Sequence, residues 1–366
     1  MTADDLDAPG DAAVTHEPST GGPLLPGVSF IIPVLNEVGY IASAVATVMA
    51  QDYAGETELI LALGPSTDGT TELVLKLAAL DPRIVTVMNP ATDIPVALNL
   101  AIKASRFPII VRVDAHSELQ PDYTRRAVET LERTAAANVG GVMKARGKTP
   151  FQSAVARAYN SKFGLGGGTY HGAGAEGPAE SAYLGVFLRG VLEQVDFFDE
   201  TIRRGEDWEL NLRIRGAGYV VWFDPTLEVT YWPRERWSKL VRQFCATGIW
   251  RGELVRRYAG RNPWRFFAPP ALVLILIASV VVLVLHLTKT VTGWPALILS
   301  LVYLGPLLYI ALLLALSFSR RGGPRFADRW RFLLVLPTMH LSWGFGFILG
   351  LLRGARNTVD TSRTGI

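Results

Sequence analysis

The sequence predicts an α/β domain, built on a mostly parallel sheet with helices on both faces, followed by helices that cross a membrane. Two observations predict it. Between Val28 and about Ala145, short apolar runs alternate with longer segments of helical spacing, and strands so continuously apolar need cover on both faces. Near the C-terminus, Phe267–Leu287, Trp294–Phe318 and Phe332–Leu352 each carry no charge. Each is about 20 residues or more, long enough for a ~30 Å hydrocarbon core.

The elements follow in order. Residues 1–27 hold Asp4, Asp5, Asp7, Asp11 and Glu17 but no Lys or Arg, and read as a disordered acidic tail. That stretch lacks the basic start and apolar run of a signal peptide, so the next segment is expected to begin in the cytoplasm. Val28–Leu35, Glu58–Leu63, Ile84–Met88, Pro108–Val113 and residues 139–144 read as strands. Tyr40–Ala50, Thr70–Leu80, Pro95–Ala104 and Asp122–Ala137 read as the helices between them. Residues 146–180 are rich in Gly and Ala and read as a mobile loop over a site. A strand at Ala182–Leu188, a helix from Glu206 to Arg215 and strands at Tyr219–Phe223 and Leu227–Tyr231 complete a domain over 28–235. An amphipathic basic juxtamembrane segment covers 236–265, a membrane part with two to three spans covers 266–353, and 354–366 is a tail.

Composition sets limits. With 366 residues the chain can bury a large core, and a net charge of +3 gives no strong field for nucleic acid, so no such partner is expected. The single cysteine, Cys245, excludes an intrachain disulfide framework. Basic residues decide orientation. Nine of them lie between Arg234 and Arg265 against Glu235 and Glu253, and five more, Arg320, Arg321, Arg325, Arg329 and Arg331, separate the second and third apolar segments. The positive-inside rule therefore places the folded domain in the cytoplasm of a multi-pass protein of the cell membrane. Three full spans would strand Arg353, Arg356 and Arg363 outside; the third segment, with Pro337, Gly344, Gly346 and Gly350, either spans, is re-entrant, or packs on its neighbours.

In parallel sheets ligands lie beyond the carboxyl ends of the strands, so the loops there matter most. The first strand ends in Pro33-Val34-Leu35-Asn36-Glu37, either a plain turn or a place where Glu37 accepts ribose hydroxyls. The second leads into Gly64-Pro65-Ser66-Thr67-Asp68-Gly69-Thr70, either a helix cap or a loop close to a nucleotide. The fourth delivers Arg112-Val113-Asp114-Ala115-His116, where a divalent cation held by Asp114 and His116 could neutralise a diphosphate. An imidazole ligand leans toward Mn²⁺ over Mg²⁺. The alternative is a capping Asp and a surface His. Glu206-Asp207-Trp208-Glu209 opens a helix, where acidic residues suit the dipole and a fixed, ionised carboxylate suits a general base.

Taken together these segments resemble the family 2 glycosyltransferases of the GT-A fold, a Rossmann-like α/β architecture. The likeness is to the membrane-anchored bacterial branch of succinoglycan-type polysaccharide glucosyltransferases. It rests on P-x-x-N-E at 33–37, S-T-D-G-T at 66–70, A-L-N at 97–99, V-D-A-H at 113–116, G-E-D-W-E-L at 205–210 and R-Q-F-x-x-x-G-x-W-R at 242–251. The resemblance implies an inverting transfer from a nucleotide-diphosphate sugar to a lipid-linked or glycan acceptor. Asp207 would be the catalytic base with Glu206 beside it. Pro33, Glu37, Asp68, Asn99 and Asp114 would line the nucleotide-sugar pocket, and Asp114 and His116 would hold Mn or Mg. Gln243, Trp250 and Arg251 would stand on the acceptor and diphosphate side.

Three features depart from the family pattern. Leu63, Gly64 and Pro65 stand where an acidic residue usually reads the nucleobase, and Asp93-Ile94-Pro95-Val96 replaces the lysine common before A-L-N. The Q-x-x-R-W box of processive synthases is absent, which favours addition of a single sugar. A catalytically silent membrane scaffold or sensor on this fold, and a nucleotidyltransferase, are the rival readings. The second of these should carry a Gly-rich loop near 33–40, and none is there.

Overall fold

This computed structural model describes residues 25–165, 174–355 and 358. Most of the expected acidic tail, the middle of the Gly-rich segment and most of the C-terminal tail lie outside them. The sheet starts with four parallel strands in the spatial order β3 (Ile84–Met88), β2 (Thr57–Leu63), β1 (Val28–Val34) and β4 (Ile109–Arg112). The chain therefore builds outward from β1 to β3 and then returns to the other side of β1, leaving a crevice at the carboxyl ends of β1 and β4.

Beyond β4 the order continues through β8 (Tyr183–Leu188), β6 (Asn138–Ala145), β9 (Val221–Tyr231) and β5 (Ser117–Leu119). Strand β8 is antiparallel to both β4 and β6, whereas β9 is parallel to β6. A short β7 (Gly177–Pro178) pairs with β9.

Side-chain alternation divides the core into two layers. Phe30, Ile32 and Val34 of β1 pack with α1 (Ile41–Met49), α2 (Thr70–Leu80) and α4 (Tyr123–Thr134). Ile31, on the opposite face, packs with α3 (Ile94–Ala104), α6 (Arg189–Gln194) and α7 (Glu206–Gly216). Period-two alternation in strands covered on both sides requires this split.

Two expectations from the sequence are corrected. The strands anticipated at 219–223 and 227–231 are one strand, β9, whose extra residues bulge opposite Gly141. A Cβ on Gly141 would come within 1.8 Å of the Leu227 carbonyl oxygen, so only glycine fits. The segment 146–180 is not all loop either. Residues Pro150–Tyr159 form α5, capped by Thr149, whose side chain accepts from the Gln152 amide at 3.1 Å. Thr149-Pro150 is a helix-start signal that the Gly-rich composition obscured.

The C-terminal third holds α8 (Trp237–Arg257), α9 (Ala268–Leu287), α10 (Gly293–Ser300), α11 (Leu304–Phe318) and α12 (Phe326–Arg353). Three helical stretches, Trp264–Leu287, Gly293–Phe318 and Phe326–Arg353, are long and apolar enough to cross a membrane. The third is one continuous helix through Pro337. It packs backbone to backbone along α8. A Cβ on Gly248, Gly252, Gly346 or Gly350 would lie within 2.3 Å of a main-chain oxygen of the other helix, a close approach that only small residues permit.

A third apolar cluster joins Ala154 and Tyr159 of α5 to Phe244 of α8, Leu316 of α11 and Phe332 and Met339 of α12. The stretches 28–235 and 266–353 thus share a core.

Candidate active site

At the carboxyl end of β1 two loops are laced together. The Asn36 amide donates to Ser66 Oγ at 3.0 Å, the Glu37 amide to Thr70 Oγ1 at 2.9 Å, and the Val38 amide to Asp68 Oδ2 at 3.2 Å. Asp68 Oδ1 also accepts from the Thr70 amide at 3.1 Å. Asp68 is therefore engaged in shaping the loop, and its side chain stays exposed. Pro33 borders a narrow cleft with Asn89 and Asp93 of the loop before α3.

Strand β4 ends in Arg112, and the following residues carry Asp114 and His116 toward β5. Arg112 is only 4% exposed, yet its guanidinium faces three carboxylates. Nη1 donates to Asp207 Oδ1, Nη2 to Glu206 Oε1 at 3.1 Å, and Nη2 to Asp114 Oδ1 at 3.4 Å. Burial works against the charge of Arg112, but the carboxylates of Asp207, Asp114 and Glu206 more than offset it and hold the guanidinium firmly protonated.

Helix α7 starts after Gly205, whose φ of +79° lies in the left-handed region that favours glycine. This turn delivers Glu206 and Asp207 to Arg112, whereas Glu209 in the same turn binds Arg213 at 2.7 Å and Tyr258 at 2.9 Å. Burial pushes the Asp207 carboxyl up to about 7 against the attraction of Arg112, with Glu206 and Asp114 adding to the rise. Solvent still reaches 33% of its side-chain surface, which leaves the group open to a reactant.

Asp114, His116, Glu206 and Asp207 line one cavity of about 310 Å³. Its opposite wall is helical. Gln243, Thr247 and Arg251 of α8 recur every four residues and so share one face. Met339, His340 and Trp343 of α12 close the cavity on the apolar side. His116 is buried, its Nδ1 3.3 Å from Glu37 Oε1 and its ring edge-on to Tyr231. Glu37 therefore meets the cavity through His116.

Two expected residues are placed elsewhere. Asn99 lies on the buried face of α3, where Nδ2 donates to the Phe198 carbonyl at 2.9 Å and Oδ1 accepts from the Phe198 amide at 3.0 Å. It ties down a turn. Trp250 is buried in a cluster with Ile202, Trp208 and Leu212 and is not among the residues that line the cavity. The sequence reading also missed Arg112, Arg204 and Arg234. Arg112 was the most accessible of these, since an arginine inside an otherwise apolar buried strand demands counter-ions.

Comparison with known proteins decides the family. The pattern described as Glycosyl transferase family 2 matches residues 29–195. Succinoglycan biosynthesis protein ExoA of Rhizobium meliloti (strain 1021) is 30% identical over 325 residues, covering 88% of this chain and 94% of that protein. The chain belongs to glycosyl transferase family 2. Its GT-A fold and glycosyltransferase class follow from that membership.

A second relative is a dolichyl N-acetyl-α-D-glucosaminyl phosphate 3-β-D-2,3-diacetamido-2,3-dideoxy-β-D-glucuronosyltransferase of Methanococcus voltae. It is 24% identical over 248 residues, covering 65% of this chain and 77% of that protein. Among solved structures, the mannosyltransferase PcManGT of Pyrobaculum calidifontis, determined with GDP-Man and Mn²⁺, superposes with a TM-score of 0.59 at 19% identity. The superposition covers 92% of this chain and 91% of that one, and it supports the fold.

Proposed function

We propose that this protein is an inverting transferase that moves one sugar from a nucleoside-diphosphate sugar to a hydroxyl of a lipid-linked glycan in polysaccharide or glycolipid synthesis. The observation that carries this reading is the meeting of Asp114, from the end of β4, and Asp207, from the start of α7, on one cavity through Arg112. The relatives support the substrate class, one taking part in succinoglycan biosynthesis and another named for a dolichyl sugar phosphate.

The chemistry is a single displacement. The acceptor oxygen bonds to the anomeric carbon, the bond from that carbon to the diphosphate oxygen breaks, and the acceptor proton passes to the Asp207 carboxylate. Attack on the face opposite the leaving nucleoside diphosphate inverts the centre. Arg112 fixes the orientation of Asp207 and sets Asp114 beside it.

Asp114 and His116 would hold the divalent cation, Mn or Mg. When bound, such a cation neutralises charge growing on the departing diphosphate. The fit rests on Asp114 and His116 lining one cavity, where a carboxylate and an imidazole could both serve such a cation. The PcManGT structure with Mn²⁺ is in keeping with this role.

A panel of sugar nucleotides offered to membranes containing the protein, with Mn²⁺ or Mg²⁺, tests the reading. Acceptor-dependent release of nucleoside diphosphate from one donor is expected; no release from any donor refutes it. The pH dependence follows from Asp207, which must be ionised to take a proton. With its pKa raised to about 7, kcat/KM should fall below that pH with unit slope and level off above it. A flat profile down to about pH 5.5 removes Asp207 as the base.

The membrane arrangement in this proposal has two spans. Helix α12 has 28 residues, which at 1.5 Å each run about 42 Å, yet both ends touch the α/β domain. Near its start Asp328 lies 3.9 Å from Arg157 of α5, and just past its end Ala355 packs with Ile202 and Leu212. A helix crossing the bilayer cannot meet one domain at both ends. Helix α12 therefore lies along the cytoplasmic interface, while α9 and the Gly293–Phe318 segment cross as a hairpin. Arg353 then stays inside, in line with the positive-inside rule. A reporter fused to the C-terminus should be active only in the cytoplasm; activity on the other side of the membrane would mean a third span.

A further inference from the structure

Resting on the membrane crossing of α9 and the Gly293–Phe318 segment, but not on the transferase reading, we propose that the connection from α11 to α12 binds the headgroup of an anionic phospholipid through Arg320, Arg321, Arg325 and Arg329. Residues 319–331 hold five arginines and a single acid, Asp328. Asp328 is taken up by Arg331 at 3.3 Å and by Arg157 of α5 at 3.9 Å. Among the described residues the other four arginines meet no carboxylate, and Arg320, Arg321 and Arg325 are exposed. Like charges gathered on one short connection repel one another, and an anionic surface relieves that repulsion.

The connection has a defined shape. Ser319 Oγ accepts from the Arg321 amide at 3.2 Å, and the Gly322 amide donates to the Ser319 carbonyl at 3.2 Å. Arg329 Nε donates to the Gly323 carbonyl at 3.3 Å, which ties the first turn of α12 back to the loop. From the α/β domain Arg157 lies against the same glycine, so close that a Cβ there would stand 3.0 Å from its Cζ. The four arginines therefore sit on a loop docked against α5.

The neighbouring rings decide the ligand. Phe318, the last residue of α11, meets Phe326 and Trp330 of α12 with ring centroids 6.1 Å and 5.6 Å away, and those two rings meet each other at 5.9 Å. Even so, Phe326 stays 65% exposed and Trp330 47%. An exposed aromatic cluster at the end of an apolar crossing belongs at headgroup depth. A soluble anion or an acidic peptide would satisfy the arginines and leave the rings in water. A phospholipid supplies both partners, a phosphate for the guanidiniums and the glycerol and acyl region for the rings.

Native mass spectrometry of the full chain in detergent tests this, with phosphatidylglycerol, phosphatidylcholine of the same acyl chains and inorganic phosphate as probes. The first phosphatidylglycerol retained should bind at least about fivefold more tightly than phosphatidylcholine. R321Q/R325Q should lower that preference to about twofold or less, whereas R125Q/R133Q, which removes the same charge from α4, should leave it unchanged. R321K/R325K keeps the charge and should retain most of the preference; it stands in if the glutamine variant does not fold.

Three results overturn the proposal. Equal binding of the two lipids means no headgroup site. A preference that R321Q/R325Q leaves intact, or that R125Q/R133Q lowers equally, does not come from this loop. Inorganic phosphate that displaces phosphatidylglycerol at equal concentration means a site for the free ion. Failure of the membrane reading shows separately, as recovery of the unsubstituted chain in the soluble fraction without detergent.

Discussion

Replacing Asp207 with Asn is expected to lower turnover by roughly 10²- to 10⁴-fold while nucleoside diphosphate binding with Mn²⁺ persists. The amide keeps the shape of the side chain and can still accept from Arg112, so the cavity holds together. It cannot take a proton at any pH. Arg112 retains Glu206 and Asp114 as partners, so the loss of one charge does not leave it bare. Parallel measurement of nucleoside diphosphate release and of binding separates the two effects. A variant that turns over within about tenfold of the parent would place the proton acceptor elsewhere.

Arg112→Gln acts through a different route. It removes a cation that faces Asp114, Glu206 and Asp207 together, leaving three carboxylates clustered at the end of a buried strand. Breaking a buried ionic cluster from one side costs about 3–5 kcal/mol, so the melting temperature should drop by several degrees or more. The sign of the catalytic effect also follows. Arg112 holds the Asp207 carboxyl down against burial, so without it the acidic limb of the pH–rate profile should move upward from about 7. Arg112→Lys keeps a charge in place and should shift the limb less. An unmoved limb in a folded variant would mean that Arg112 does not govern Asp207.

The sheet, the crevice and the two aspartates were legible in the sequence because each depends on local pattern. Apolar runs of strand length end at Val34, Leu63 and Arg112, and the polar residues after them are placed at the sheet edge by that ending alone. The ionic cluster was not legible, since Arg112 and Asp207 are 95 residues apart and nothing local pairs them. Spacing could not separate Trp250 from the cavity face, because it lies seven residues after Gln243 and so on nearly the same side of the helix, yet it is buried with Ile202, Trp208 and Leu212. Asn99 shows the opposite limit, because a buried asparagine that closes a turn and one that meets a ligand look alike in sequence. The packing of α12 was not legible, because apolar length alone does not show that Gly346 and Gly350 bring it against the backbone of α8.

The most direct measurement is a structure of the full chain with a nucleoside diphosphate and Mn²⁺ bound, located by anomalous scattering. The account predicts one Mn²⁺ beside the Asp114 carboxylate and the diphosphate, with Asp207 facing the same cavity. Mn²⁺ and diphosphate bound away from Asp114, or a donor site walled off from Asp207, would contradict it.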